Sequence, residues 1–172
     1  MLGAIWAQSL DRVIGDGTDM NWHIPEDLRH FKDITMGDPV IMGSRSWLAL
    51  PERFRPLPGR TNYVLSSREP GDWSRGAEVI TGIDGLSGWI TGGGEVYAAT
   101  LSQVDRIEVT LIDALLAHSV DSVVSVVYAP EIGPDFELTE ESEWMTSEKG
   151  TVDGSDEPAR FRFQTYLRKV SS

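Results

Sequence analysis

Gly88-Trp89-Ile90-Thr91-Gly92-Gly93-Gly94-Glu95 is the stretch on which the fold reading turns. A short apolar strand runs into three glycines, and a helix begins at Glu95. Glycines at such a junction let the backbone approach a phosphate closely and turn free helix N–H groups toward it. The same pattern also serves as a tight strand–helix junction with no ligand. It has neither the full GxGxxG spacing nor a following GK[ST], so neither an ordinary Rossmann turn nor a P-loop is supported.

Working outward, two more strands end in loops of the same kind. Pro39-Val40-Ile41-Met42-Gly43 precedes a short helix through Leu50, with Ser44 as its expected cap. Asn62-Tyr63-Val64-Leu65-Ser66 is the other. Residues 2–9 read as a buried strand, 10–24 as a long Gly/Asp-rich loop and 25–35 as a helix. Further strands are expected at 78–80 and 105–112. Two long ones, about 135–146 and 159–169, follow with a polar turn between them. Strands alternating with helices predict an α/β fold: a mainly parallel central sheet of about eight strands, an antiparallel C-terminal edge and about four flanking helices. Ligands of such sheets bind beyond the carboxyl ends of the strands, so the loops after Gly43, Ser66 and Gly92 are expected to lie together.

The chain has 172 residues, which fits one domain spanning 1–172 and burying about 70% of the unfolded surface. It has no cysteine, which excludes disulfides and thiolate chemistry. The N-terminus shows neither a basic leader nor a long apolar run, so a cytoplasmic protein without a membrane span is expected. The net charge of −12 argues against nucleic acid, because phosphate neutralisation needs clustered Lys and Arg. Much of the acid lies within 137–157 and reads as a solvated hairpin face.

A second informative stretch is Met20-Asn21-Trp22-His23-Ile24-Pro25-Glu26-Asp27-Leu28-Arg29-His30-Phe31. Pro25 suits the first turn of a helix, and Glu26 and Asp27 suit its positive end. Asp27 and Phe31 are i and i+4, so they share a face with Leu28 on its flank. A single acid in a wall of Trp22, Leu28 and Phe31 suits a flat, partly cationic ligand, because an acid is costly to bury unpaired. An acidic first turn also occurs simply as a solvated, dipole-stabilising feature.

Ser44-Arg45-Ser46 and Ser66-Ser67-Arg68 each follow a strand. Hydroxyl and guanidinium groups at adjacent strand ends suit a terminal phosphate, as NADP rather than NAD requires. Arg60 follows the rigid turn Pro56-Leu57-Pro58-Gly59, and a fixed guanidinium suits a carboxylate. His23, His30 and His118 lack metal-ligand spacing, and no metal site is expected. No GxSxG or paired-carboxylate motif is present.

These segments together resemble the dihydrofolate reductase family, in order and spacing, over essentially the whole chain. The matching stretches are Ile5-Trp6-Ala7-Gln8, Asp11-Arg12-Val13-Ile14-Gly15, Met20 with Trp22, and Pro25-Glu26-Asp27-Leu28 to Phe31. Val40-Ile41-Met42-Gly43, Pro56 to Arg60, Leu65-Ser66, Gly92-Gly93-Gly94 to Tyr97, and Val109-Thr110 to Asp113 continue the series. Trp6 and the Leu50-Pro51 region are most similar to actinobacterial members.

The resemblance implies NADPH-dependent reduction of 7,8-dihydrofolate to tetrahydrofolate, feeding one-carbon metabolism and sensitive to antifolates. Asp27 would hold the pterin N3 and 2-amino group, supported by Thr110. Ile5, Trp6, Ala7, Leu28, Phe31 and Leu50 would line the substrate site, with Thr91 and Tyr97 at its cofactor side. Arg60 would bind the glutamate α-carboxylate, with Lys32 near the tail. Hydride would go to C6, and a water aligned near Met20 and Trp22 would protonate N5.

For the cofactor, the resemblance implies Ala7, Ile14, Gly15 and Met20 at the nicotinamide, under a mobile loop spanning 10–24. Gly43, Ser44, Arg45 and Ser46 would serve the phosphates. Leu65, Ser66, Ser67 and Arg68 would serve the adenosine end, in a part spanning about 39–91. Gly93, Gly94, Glu95, Val96 and Tyr97 would cradle the pyrophosphate and nicotinamide, with a cis Gly92–Gly93 peptide. A monomer is expected.

Four residues depart from the family pattern: Asn21 for proline, Ser44 for arginine, Thr91 for isoleucine, and Glu95 for arginine or glutamine. Residues 114–128 do not align with the family. Two alternatives stand beside the main reading: a pteridine or flavin-precursor reductase on the same fold, and an inactive ligand-binding homologue.

Overall fold

The computed structural model describes residues 1–15, 20–117 and 126–170. The middle of the 10–24 loop (16–19) and most of the 114–128 segment (118–125) lie outside the described residues, so the expectations on them stand aside.

β1 (Leu2–Ser9) is the buried central strand that its small and apolar residues predict. β2 (Val13–Gly15) and β3 (Trp22–His23) are short. α1 (Pro25–Thr35) starts on its proline, as expected. β4 (Val40–Gly43) leads into α2 (Ser44–Ala49). β5 (Asn62–Leu65), β6 (Glu78–Ile80) and β7 (Gly88–Gly92) follow, and β7 feeds α3 (Gly94–Thr100). β8 (Arg106–Ile112), β9 (Val127–Tyr128), β10 (Phe136–Glu141), β11 (Met145–Val152) and β12 (Pro158–Arg168) complete the chain.

Ten strands form one sheet in the order β3-β11-β12-β8-β1-β7-β4-β5-β6, with β10 also on β12. The run β8-β1-β7-β4-β5-β6 is parallel, and the remainder is antiparallel. β2 and β9 form a separate ribbon. The architecture is the expected one, with three adjustments. The sheet has ten strands, three α-helices are described, and Ser44 caps nothing: Gly43 holds the N-cap and no side chain bonds there.

The expected strand 135–146 is in fact one whole strand, β10, followed by the start of β11. Phe136–Glu141 pairs with the C-terminal half of β12, whereas Met145 pairs with Phe161 in its N-terminal half. Both segments stay on β12, and the strand is interrupted at Ser142, which exchanges backbone and side-chain bonds with Phe163 and accepts the Arg162 guanidinium on its carbonyl. The interruption is held by bonds to Arg162 and Phe163 of β12, and nothing local to 135–146 encodes them.

The core divides at β1. Leu2, Ala4 and Trp6 point into one cluster with Ile41, Ile90 and Tyr97. Ala7 packs on another, around Trp22, Ile24, Ile112 and Phe161. Alternation along the strand sends successive side chains to opposite faces. The first turn of α1 meets β8 where Thr110 bonds Asp27, which ties it to the parallel sheet.

Candidate active site

A cavity of about 210 Å³ opens where β3, the start of α1 and the turn after β11 meet. Met20, Trp22, His23, Ile24, Asp27, Leu28 and Asp153 line it. Asp27 is 9% exposed, and Thr110 Oγ1 donates to its Oδ1 at 2.7 Å. Burial pushes the Asp27 carboxyl up from its ordinary value near 3.8 to about 6, and the Thr110 bond pulls the other way. Among the described residues the carboxylate thus has one hydrogen-bond partner, on Oδ1, which leaves Oδ2 for a donor of another molecule. Trp22 Nε1 is buried and has no hydrogen-bond partner among the described residues, so the wall also holds an N–H that an acceptor would satisfy.

The apolar neighbours vary in depth. Ile5 is buried, Ala7, Phe31 and Leu50 are half-buried, and Leu28 is exposed. Tyr97 donates its hydroxyl to the Ile5 carbonyl at 2.6 Å, which ties α3 to β1. Burial, with the nearby Asp27 charge, pushes that phenol strongly up, so it stays a donor. Thr91 is half-buried, and its hydroxyl reaches the Ile41 carbonyl at 3.4 Å where the β4–β7 register slips. Trp6 lies in the core, its ring 5.0 Å from that of Tyr97 and its Nε1 bonded to Gln8 Oε1 at 2.8 Å.

Beyond the carboxyl ends of β4, β5 and β7 the expected loops do lie side by side, because those strands are neighbours in parallel register. The Gly92–Gly93 peptide is cis. These glycines are closely covered. A Cβ on Gly43 would stand 2.9 Å from Val96 Cγ2, and one on Gly94 would stand 2.8 Å from Val127 Cγ1. A Cβ on Gly92, whose φ of 135° already disfavours one, would stand 3.1 Å from Ser46 Oγ. Only bare backbone fits there. Ile14, on the β2–β9 ribbon, reaches the same junction.

Around this junction Ser44 and Ser46 are half-buried and Arg45 is exposed. Leu65 and Ser66 are half-buried, and Ser67 and Arg68 are exposed. The Arg68 guanidinium lies 4.7 Å from the centre of the Trp73 ring. Glu95 is exposed on α3. A bare-backbone junction beyond neighbouring parallel strands has the form that approaches a dinucleotide phosphate.

Across α1, Arg60 is held from two sides. Its Nε donates to the Pro58 carbonyl at 2.9 Å and its Nη1 to Thr35 Oγ1 at 3.0 Å. Lys32 is exposed in the last turn of α1.

The dihydrofolate reductase family model matches residues 1–168. The chain is 39% identical to the dihydrofolate reductase of Mycobacterium tuberculosis strain H37Rv over 172 residues, covering 98% of both chains. It is 38% identical to that of Mycobacterium leprae, again over 98% of both. Identity to that of Bacillus subtilis is 31%, over 100% of this chain and 97% of the relative.

The chain belongs to the dihydrofolate reductase family. A dihydrofolate reductase converts dihydrofolate to tetrahydrofolate with NADPH as cofactor, and the chain is an enzyme of this reaction. For a dihydrofolate reductase the walls of the cavity hold three residues outside the expected site: His23, Ile24 and Asp153. Asp153 arrives through the pairing of Val152 with Trp22, and its own N–H bonds the Asn21 carbonyl at 2.8 Å. No sequence signal links residues so far apart. Among the described residues no helix is long and apolar enough to cross a membrane.

Proposed function

We propose that Asp27, braced by Thr110, is the substrate anchor of this dihydrofolate reductase. The observation that carries this is the 2.7 Å Thr110–Asp27 bond on a buried carboxylate beside a cavity. A carboxylate with Oδ2 free accepts a paired donor edge, such as the N3–H and 2-amino group of a pterin. Leu28, Phe31 and Leu50 supply apolar walls for the rings, with Ile5 and Ala7 behind them. Arg60, its guanidinium pre-set by Thr35 and Pro58, takes the glutamate α-carboxylate, and Lys32 stands near the tail.

NADPH supplies the hydride when bound. Its phosphates suit the Gly93-Gly94 backbone, Ser44 to Ser46, and the Ser66 to Arg68 loop, with Leu65 at the adenine. Residues about 39–91 form the adenosine-binding part. Arg45 and Arg68 carry the selection for the 2′-phosphate, because Ser44 offers no charge there. Ile14, Gly15, Met20, Val96 and Tyr97 meet the nicotinamide half. Thr91, with its hydroxyl turned to the Ile41 carbonyl, leaves its methyl for the apolar wall.

Proton supply is a task for water rather than for direct transfer. Asp27 holds the ring edge remote from the reacting bond and raises the basicity of N5. Met20 and Trp22 align the water that protonates it, and the cover they form limits bulk solvent. Trp6 acts from behind, packing Tyr97 in place. We read the chain as a cytoplasmic monomer.

The test is dihydrofolate-dependent NADPH oxidation by the purified protein and by Asp27→Asn. Turnover is expected to fall strongly near neutral pH in the variant and to recover toward acid, where solution supplies the proton. Unchanged turnover at pH 7 would remove Asp27 from the mechanism.

A further inference from the structure

Glu26, beside Asp27 in α1, has a carboxylate that the reading above does not use. Its two oxygens are engaged separately. Ser147 Oγ donates to Oε1 at 2.6 Å, and the Glu148 N–H donates to Oε2 at 3.0 Å. Ser147 is 2% exposed, and its hydroxyl oxygen also accepts the Gly150 N–H at 2.8 Å.

Gly150 sits against the corner where β3 turns into α1. A Cβ there would stand 2.6 Å from the His23 carbonyl oxygen and 2.9 Å from Ile24 Cα. The regular pairing of β11 with β12 breaks between Thr146 and Thr151. Past the break, Thr151 and Val152 pair with His23 and Trp22. Residues 147–150 therefore wrap the corner as a knuckle. One arm of the corner carries Trp22 and the other carries Asp27. The N-cap, Ile24, makes no capping bond, so among the described residues the helix start is fastened by the Thr110–Asp27 bond on one side and by the Glu26 bonds on the other.

We infer that Glu26 is a positioning residue: through Ser147 and Glu148 it fixes the angle between the Trp22 arm and the Asp27 turn. The inference rests on the reading of Asp27 as the substrate anchor. The charge matters to it. Each carboxylate oxygen meets its own donor in a charge-assisted bond, whereas a glutamine keeps one oxygen for the Glu148 N–H, must turn its NH₂ to Ser147 Oγ, and loses the charge that strengthens both bonds. Burial alone would raise the Glu26 carboxyl, but the Ser147 and Glu148 donors outweigh it and hold it below its ordinary value. Glu26 is therefore charged throughout the range in which Asp27 titrates.

The experiment compares Glu26→Gln, Ser147→Ala and their combination in the full chain. Its readouts are kcat, KM for dihydrofolate, Kd for NADPH, the pH–rate profile and the thermal midpoint. For Glu26→Gln, kcat is expected to fall about fivefold and KM for dihydrofolate to rise about threefold, with Kd for NADPH unchanged within about twofold. The inflection of the profile should move down by roughly half a pH unit, because a loosened turn hydrates Asp27. Ser147→Ala should do the same more weakly, and the combination should be no worse than Glu26→Gln alone.

A lower thermal midpoint with unchanged kcat, KM and inflection would overturn the inference. If Glu26→Gln does not fold, Ser147→Ala decides by the same criteria. Asp27→Asn, run alongside, separates the two readings: normal turnover there removes the anchor itself, whereas normal turnover only in the Glu26 and Ser147 variants removes the positioning role.

Discussion

Thr110 and Asp27, 83 residues apart in sequence, share a buried 2.7 Å hydrogen bond from the Thr110 hydroxyl to Asp27 Oδ1. It links the parallel sheet to the first turn of α1 and sets the charge of the candidate site. The bond favours the ionised carboxylate, while burial disfavours it more strongly.

That imbalance has a consequence for stability. The folded-state pKa of Asp27, about 6, lies above its ordinary 3.8, so folding is favoured below that range and loses stability as pH rises through it. The loss amounts to about 3 kcal/mol by the usual conversion of pKa shift into free energy. Asp27→Asn should therefore be more stable than the natural chain at pH 8, with the difference shrinking toward pH 4.5. Urea midpoints at the two pH values check this. A variant less stable at pH 8 would contradict it.

Thr110→Val keeps the shape and removes the donor. With the stabilising bond gone, the Asp27 pKa should move further up, and the inflection of the pH–rate profile with it. The buried carboxylate also loses a partner, at a cost of about 1–3 kcal/mol. The paired measurement is the kcat profile from pH 5 to 9 and the denaturation midpoint. An inflection that stays in place would mean that the bond has little electrostatic effect.

Arg60 is held by Thr35 and Pro58, and its planar fork is what the proposal uses. Arg60→Lys should raise KM for dihydrofolate about tenfold, or about 1.4 kcal/mol, and leave kcat unchanged. A substrate truncated before the glutamate should show no difference between the two proteins. Equal KM values for full-length dihydrofolate would argue against a carboxylate at this position.

Arg45, at the start of α2, and Arg68, just after β5, are both exposed, and Ser44 beside Arg45 adds no charge. Arg45→Ala with Arg68→Ala should raise KM for NADPH by about tenfold or more while leaving KM for NADH nearly unchanged. Steady-state assays with both cofactors measure this. Parallel loss with NADH would place the two arginines somewhere other than at a 2′-phosphate.

Much of the scaffold was legible in the chain because its signals are local. Pro25 with an acidic turn marked the start of α1, glycines marked the ends of β4 and β7, and apolar runs marked β1, β5 and β8. The split of the expected strand 135–146 was not legible, because it depends on which half of β12 each segment meets. Ser44 looked like a cap from its residue type, but Gly43 already occupies that position. Trp6 was expected at the substrate with Ile5 and Ala7, but it points into the core with Tyr97.

The sequence by itself determined most of the strands and helices in chain order, the glycine junctions, the acidic first turn of α1 that carries Asp27, and the family. These follow from residue type and spacing along a short stretch. Only the tertiary structure decided that Asp27 is buried against Thr110, that Asp153 reaches its cavity, and that Glu26 is held by Ser147 and Glu148. The physical reason is that burial and hydrogen-bond partnership are properties of surfaces brought together by strand pairing. The pairing of β11 with β3 joins Thr151 to His23 and Val152 to Trp22, and the Thr110–Asp27 bond spans 83 positions. A charge alone in the sequence has no environment until that pairing supplies one.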